Sequence, residues 1–552
     1  MHRIFFVLFC VSCCIPLCSQ NTVGTISYNE EESFEGYNLI YPHNQSTVFL
    51  INSCGEVVHS WTDEDVFRPG NTAYILENGN LVKTKRGNSP INDPIWAGGG
   101  GETVEVRDWD NNLISSFDLN DEKARLHHDV AVTENGNILM IAWELKTLEE
   151  ALSAGRNPDL LASDVLWSEM ILEWNPSSDE IVWEWHAWDH LIQDFDSTRS
   201  NFGTVSNHPE LIDINYDEHD GHQDWLHINS IDYNPVLDQI VMSIPYFNEL
   251  WIIDHSTTTM EAASNSGGNS GKGGNLIYRW GNPAAYQMGS LENKELFFQH
   301  DVKWVDPNAS SDSNDFGLLS LYNNRVDERF SSIHTLQTDY DPISSSYGFI
   351  DGVFAPIDFE VSIIHPDTSS FAVSSGLSSA QFLPNGNSLT LSGRWGYAFE
   401  LSTRNELVWE YRVPLRGGSP IEQGTELSIN NNITFRIDRY PLDFPGFNGR
   451  ELVPGNRLEL NPNALVCDVI SNTNEEDLLD YELKILGNPS RESLDIMVEK
   501  DDFIEIFDAT GGDLKRIKIT SGYNTIDINE FSSGLLFIRT SGGKVFKHIL
   551  VK

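Results

Sequence analysis

The sequence predicts an all-β protein whose main domain is a six-bladed β-propeller. Three observations carry this expectation. First, one short repeat opens three times on histidine: His128-Asp-Val-Ala-Val-Thr-Glu-Asn135-Gly, His227-Ile-Asn-Ser-Ile-Asp-Tyr-Asn234-Pro and His300-Asp-Val-Lys-Trp-Val-Asp-Pro307-Asn. Two further copies open on Asn71 and Ser378 and end at Asn78-Gly79 and Asn385-Gly386. Second, Asn-Gly turns between β-rich runs mark hairpins. Third, the openings recur roughly every 60–100 residues, room for a sheet of about four strands. Five inner strands are visible and a sixth can be assembled from the two ends. Five or seven blades fit the same spacing.

Outer hairpins recur as well. Ser53-Cys-Gly-Glu-Val-Val-His-Ser-Trp61, Ser178-Asp-Glu-Ile-Val-Trp-Glu-Trp185 and Arg404-Asn-Glu-Leu-Val-Trp-Glu-Tyr411 each run from a polar turn through alternating apolar residues to an aromatic. Two segments interrupt the pattern. Residues 187–222, rich in Asp and His, read as a long loop, and 261–275 as a flexible Gly/Ser tip. A short helix is expected within 151–170.

The chain has 552 residues and a formal net charge of −47. That charge argues against nucleic acid as a partner, because phosphate contacts need a basic face. It suits a heavily hydrated surface in an extracellular setting. No EF-hand-like spacing points to calcium. Residues 1–19 read as a secretory signal: Arg3 precedes an apolar run, Ile4 to Leu17, that is too short to span a bilayer. No other run is long enough for an integral membrane segment. Four of the six cysteines lie in that leader, and the mature chain keeps Cys54 and Cys467. These sit near the two ends of the ring. In an oxidising compartment they form either a closing disulfide or two unrelated thiols.

The expected organisation is therefore a signal at 1–19, the propeller at 20–470, an acidic linker at 471–480 and a strand-rich unit at 481–552. The last unit carries Asn488-Pro489, Ile506-Phe-Asp508-Ala-Thr-Gly511, Ile526-Asp-Ile, Ser533-Gly534-Leu and a terminal Lys547-His-Ile-Leu-Val-Lys552. In this order the landmarks resemble the C-terminal sorting domain of proteins exported by the type IX secretion system. That resemblance implies a small β-sandwich, the type IX machinery as a partner, and passage through the periplasm and outer membrane to a secreted or cell-surface location. An ordinary β accessory module is the bland alternative.

Three histidines at one repeat position point at one place if the strands are equivalent. One reading is a set of channel-filling hydrogen bonds. Another is a zinc site, since three imidazoles leave one position open; no fixed carboxylate ligand accompanies them, so no metal is expected. His219-Asp-Gly-His222 has metal-like spacing but lies on a loop. No Gly-x-Ser-x-Gly elbow is present. Gly98-Gly-Gly-Gly101 lacks the Lys-Ser/Thr of a phosphate loop.

His127-His128-Asp129, Asp224-Trp-Leu-His227-Ile-Asn229-Ser230, Gln299-His300-Asp301, Gly393-Arg394-Trp-Gly-Tyr-Ala-Phe399-Glu and Phe435-Arg436-Ile-Asp-Arg439-Tyr440-Pro resemble bacterial arylsulfotransferases across most of 35–460. The resemblance implies a six-bladed propeller that moves a sulfuryl group from an aryl sulfate to a phenol, with no nucleotide donor and no cofactor. It implies His300 as nucleophile, His128 and His227 as catalytic cations or donors, and Asn229 as a substrate contact. One departure is clear. The family places an arginine shortly after the His-x-Asn-Ser strand, and Pro245 stands there. Arg394 is the substitute cation from another blade, or else a structural ion pair. The rival function is a non-catalytic surface propeller that binds sulfated or aromatic ligands.

Overall fold

The computed structural model describes residues 21–63, 68–86, 95, 97–327, 330–366, 373–462, 483–486, 493–498, 501–508, 513–540 and 545–550. The expected leader at 1–19, Cys467 and the linker at 471–480 lie outside them. The described residues fall into two compact units, one within 1–463 and one within 464–552.

In the first unit, six antiparallel sheets of four or five strands follow one another. The first contains Gly36–Pro42, Thr47–Ile51 and Val57–Thr62. Its remaining strand, Thr434–Pro441, comes from the far end of the unit and pairs with Gly36–Pro42. The second runs from Arg68–Ile75 to Leu113–Asp118, the third from Ala124–Val132 to Glu180–His186. The fourth runs from Ser230–Asn234 to Tyr278–Trp280, the fifth from His300–Trp304 to Val361–Ile364. The sixth starts at Ser379–Phe382 and takes Gly24–Tyr28 as a fifth strand beside Leu407–Arg412.

The leading strands touch in series. Arg68–Ile75 packs on Ala124–Val132, then come Ser230–Asn234, His300–Trp304, Ser379–Phe382 and Thr434–Pro441, which returns to Arg68–Ile75. The repeat explains the joints. Its short polar residues accept the free N–H of the following leading strand: Asp129 from Ile231 (3.3 Å), Ser230 from Val302 (2.9 Å), Asp301 from Ala380 (2.9 Å) and Ser379 from Ile437 (3.2 Å). Buried donors of neighbouring sheets are thereby satisfied.

The predicted turns form as expected. Gly79, Gly136 and Gly386 adopt φ of 82°, 81° and 84°, a region open to glycine at little cost. The aromatics that end the outer hairpins, Trp61, Trp185 and Tyr411, are fully buried. Burying each contributes roughly 1.5–3 kcal/mol or more from apolar area. The short helix expected within 151–170 lies earlier, at Leu148–Ser153, where a Thr147/Glu150 capping box starts it; a single 3-10 turn, Pro158–Leu160, follows inside that range.

Two loops differ from the expectation. Residues 187–222 form a folded insertion: Leu191–Ile192 pairs in parallel with Ile212–Asp213. Its Ile192, Val205, Ile212 and Ile214 pack in one cluster with Trp225, Leu226 and Ile228, which flank His227. Residues 261–275 are not a free tip. Trp185 Nε1 donates to the Gly274 carbonyl (2.8 Å), and His190 Nδ1 bonds Asn275 Oδ1 (2.9 Å). A Cβ on Gly274 would collide with the Ala262 carbonyl, so glycine serves close approach there.

The second unit has a three-stranded sheet, Leu483–Leu486, Ser493–Val498 and Gly522–Asp527. A four-stranded sheet joins Asp513–Ile519, Asp502–Asp508, Gly534–Thr540 and Val545–Leu550. Leu494, Ile496, Ile504, Ile506, Ile526 and Ile538 make their shared core.

Candidate functional site

Three leading strands lose register where the site forms. The breaks fall between Pro69 and Ala73, between Leu126 and Val130, and between His300 and Lys303. Bulges of this kind bend a strand and re-aim its side chains. His128, His227 and Asp301 take left-handed φ of 52°, 57° and 57°, and Leu377 and Ser378 take 62° and 94°. Such conformations in non-glycine residues cost of order 1–3 kcal/mol each and concentrate at functional sites.

The repeat histidines meet, His128 and His300 at such breaks and His227 just before the unbroken strand Ser230–Asn234. The His128 and His227 rings lie 4.6 Å apart at 79°. The Phe435 ring lies between His128 and His300, 6.5 and 6.2 Å from them. All three are nearly enclosed, at 2%, 7% and 3% exposure. The Gly98-Gly99 turn lies against the ring tips. A Cβ on Gly99 would strike His128 Nε2, and one on Gly98 would stand 3.9 Å from His227 Cε1. The glycine run dismissed as a phosphate loop therefore covers the imidazoles.

Each ring is held by different partners. His300 Nδ1 bonds Asn324 Oδ1 (2.8 Å) and the Phe298 carbonyl (3.2 Å). Asn324 Nδ2 donates to the carbonyls of Ser374 and Leu377 (both 2.9 Å), so its oxygen must face the ring. The Nδ1 of His300 thus carries the proton, and Nε2 keeps its lone pair, which accepts the Leu377 N–H (3.1 Å). Burial pushes His300 down to about 3, against the opposing Asn324 hydrogen bond. It is a neutral base at any physiological pH.

His227 is built differently. Its Nδ1 bonds Asp224 Oδ2 at 2.5 Å, while Asp224 Oδ1 accepts Trp143 Nε1 (2.9 Å). The Tyr246 ring stacks on it, 4.7 Å away at 10°. The Asp224 carboxylate fixes the ring through Nδ1 and turns Nε2 away from Asp224. His128 leans on a fourth histidine, His127. Its Nδ1 lies 2.8 Å from His127 Nδ1, and His127 Nε2 lies 2.6 Å from Glu169 Oε2. Burial holds both histidines well below, and Glu169 well above, their ordinary ranges.

Asn229 is fully buried and donates from Nδ2 to the Gln299 carbonyl (2.8 Å), next to His300 in sequence. Its Oδ1 has no hydrogen-bond partner among the described residues. Pro245 precedes Tyr246, so an aromatic face, not a cation, covers His227. The cations come from elsewhere. Arg325 lies 3.5 Å over the Phe298 ring, which itself neighbours His300 (5.8 Å). Burial, then the charge of Arg394, lowers the pKa of Arg325. Arg394 bonds Asn430 (3.1 Å), and among the described residues neither arginine pairs with a carboxylate. His219 rests on Tyr246 at 3.9 Å. Among the described residues no group of three or more His, Cys, Asp or Glu is arranged to hold a metal.

Beside the histidines an ion network crosses between sheets. Arg436 binds both oxygens of Asp129 (3.0 and 2.9 Å) and reaches Asp301 Oδ1 (2.5 Å). Lys303 links Asp301 to Asp438, 3.2 Å from each. The aspartates following His128 and His300 are thus tied to one guanidinium.

Sequence reasoning placed the three histidines but missed their partners Asn324, Asp224 and Glu169. Asp224 stood in the quoted motif, three residues before His227. The others lie on different strands and leave no local signal.

The family model for arylsulfotransferase (ASST) matches residues 32–261. An arylsulfotransferase-family match thus takes in His128, His227 and Asn229 and ends before His300. It supports arylsulfotransferase-type activity in general. The model for the secretion system C-terminal sorting domain matches residues 484–552. The chain carries a type IX sorting domain and is exported, to the cell surface or beyond it. No curated protein matches the chain significantly. Among solved structures, a protein of unknown function from Bacteroides caccae is similar at 10% identity, over 69% of this chain and 94% of that one, with a TM-score of 0.38. A dihydro-heme d1 dehydrogenase is similar at 9% identity, over 90% and 76%, with a TM-score of 0.31.

Proposed function

We propose that the first unit is a six-bladed β-propeller that transfers a sulfuryl group from an aryl sulfate ester to a phenolic acceptor through a sulfohistidine on His300. Residues 20–470 carry the chemistry, and 481–552 serve export. The supporting observation is the tautomer imposed on His300, with Nδ1 bound to Asn324 and the lone pair at Nε2. That lone pair attacks sulfur as the S–O bond to the aryl group breaks. The Leu377 N–H now on Nε2 gives way and is available to a sulfuryl oxygen. His227, oriented by Asp224, and His128 donate hydrogen bonds to the remaining oxygens as charge moves to the leaving phenolate. Asn229 and Arg394 contact substrate. No cofactor or metal takes part.

With an aryl sulfate and no acceptor, the protein is expected to release about one phenol per chain and gain one sulfuryl group at His300. Acceptor then discharges it, giving ping-pong kinetics. His128→Ala or His227→Ala should slow turnover about 10²–10³-fold, the scale of one lost transition-state donor. Pro245 in the arginine place favours the rival reading, a propeller that only binds sulfated or aromatic ligands. Binding without burst or adduct would establish that rival.

We also infer that Cys54 and Cys467 form a disulfide closing the ring. Cys54 sits in the turn before Val57–Thr62, where its N–H donates to Asn52 Oδ1 (3.0 Å). Unfolded, unreduced mature protein should then show no free thiol, whereas two titratable thiols would refute the bond.

A further inference from the structure

We propose that Glu169, His127 and His128 form a proton relay that makes His128 the acid of one half-reaction and the base of the other. The relay rests on the transfer reading above and adds a proton source to it. Its geometry is a continuous chain of buried atoms. Glu169 Oε2 meets His127 Nε2 at 2.6 Å, and His127 Nδ1 meets His128 Nδ1 at 2.8 Å. His128 Nε2 is left facing the Gly98-Gly99 turn and the other two histidines.

A nitrogen-to-nitrogen hydrogen bond admits one proton, so the whole chain has two arrangements. In the first, the Glu169 carboxyl donates its O–H to His127 Nε2. His127 then donates Nδ1–H to His128 Nδ1, and His128 carries its proton on Nε2. In the second, Glu169 is ionised and accepts Nε2–H of His127. His127 Nδ1 accepts from His128 Nδ1–H, and His128 Nε2 bears a lone pair. Both histidines stay neutral throughout, which suits their burial.

The two arrangements match the two half-reactions. As His300 Nε2 bonds to sulfur, the departing phenolate takes the proton of His128 Nε2. His127 passes its Nδ1 proton to His128 Nδ1, and Glu169 passes its own to His127 Nε2. The donor phenol leaves, with Glu169 now a carboxylate. The acceptor phenol next gives its O–H proton to His128 Nε2 as its oxygen bonds to sulfur and the N–S bond breaks. The relay runs backwards and Glu169 regains its proton. No charge is left on either histidine and no outside base is consumed.

The surroundings support a carboxyl able to hold the proton. Glu169 has no exposure; its other oxygen accepts the Ile228 N–H (3.1 Å), and the His227 backbone N–H also faces the carboxyl. Asp224, bound to His227 and Trp143, faces it as a second negative group. Arg125 faces His127, but its Nε and Nη1 are spent on the carbonyls of Gly101 (2.9 Å) and Ile95 (2.7 Å). His227 and His300 face His128. Trp143 stacks on His127 at 4.0 Å and 11°, which fixes the orientation of that ring. Glu169 touches no substrate and is a positioning residue that acts through two rings.

The decisive variant is Glu169→Gln in the full chain. The amide keeps the shape and a hydrogen bond but cannot pass on a proton. A 4-nitrophenyl sulfate releases a phenolate stable without protonation, and its burst should stay within about 2-fold of wild type. Phenyl sulfate releases a basic phenolate, and its burst should fall ~10²-fold, within the range for a lost general acid. Rates therefore steepen against leaving-group basicity. His127→Gln should show the same selectivity, which covers a failure of the first variant to fold. Equal loss for both donors, or no loss for either, overturns the relay while leaving the transfer reading intact. A wild-type protein that forms no adduct refutes the transfer reading, and the relay with it.

Discussion

His300→Ala is expected to abolish both turnover of aryl sulfates and the covalent adduct. Loss of a nucleophile from an assembled site costs on the order of 10⁴–10⁶-fold in kcat. Of the three imidazoles, His300 alone has its Nδ1 proton fixed by an amide oxygen, with Nε2 set against a backbone N–H. His128 Nδ1 is engaged by His127, and His227 Nδ1 by Asp224. His300 is held neutral by burial, so the reactive form needs no deprotonation. The substitution also strands Asn324 Oδ1 and the Leu377 N–H, at about 1–3 kcal/mol each. Folding must therefore be checked by thermal unfolding beside the kinetics. The informative result is a folded His300→Ala protein that still binds an aryl sulfate, gains no mass and releases no phenol. Retained turnover that a chelator removes would instead favour the zinc alternative.

The phase of the histidines was legible because a repeat carries its own coordinates. Position within each copy defines position along the leading strand, so equivalent residues meet wherever the strands meet. Turns were legible for a local reason, since Asn-Gly suits backbone that β-branched residues avoid. The hydrogen-bond partners were not legible. Asn324 reaches His300 from the next strand of its sheet, and Glu169 reaches His127 from another strand again; register decides both. Composition also misled at 261–275. Glycine is chosen for flexibility and for close approach alike, and Gly274 is the second case. Arg436 stood in a quoted motif without a role, because only ring closure brings Thr434–Pro441 beside strands more than a hundred residues away.

That closure makes Arg436→Met the substitution with the largest expected effect on stability. Arg436 lies between two buried carboxylates, Asp129 and Asp301, which burial pushes above the ordinary range, Asp301 to about 7. Removing the guanidinium leaves two desolvated acids facing each other, and losing one partner of a buried ionic cluster costs about 3–5 kcal/mol. Lysine should not restore it, because the bidentate hold on Asp129 needs a planar fork. The loss should depend on pH. A carboxyl with a raised folded pKa contributes stability that is complete below its unfolded value and is lost as pH rises through the folded one. The variant should therefore be nearer wild type at pH 5, where protons replace the missing charge, and furthest from it at pH 8. Every tryptophan of the chain precedes residue 464, so fluorescence during urea unfolding reports the first unit alone. Adding Asp301→Asn to Arg436→Met should recover part of the loss at pH 8 and little at pH 5. A loss equal at both pH values, untouched by that second change, would mean that Arg436 acts by packing and not by charge.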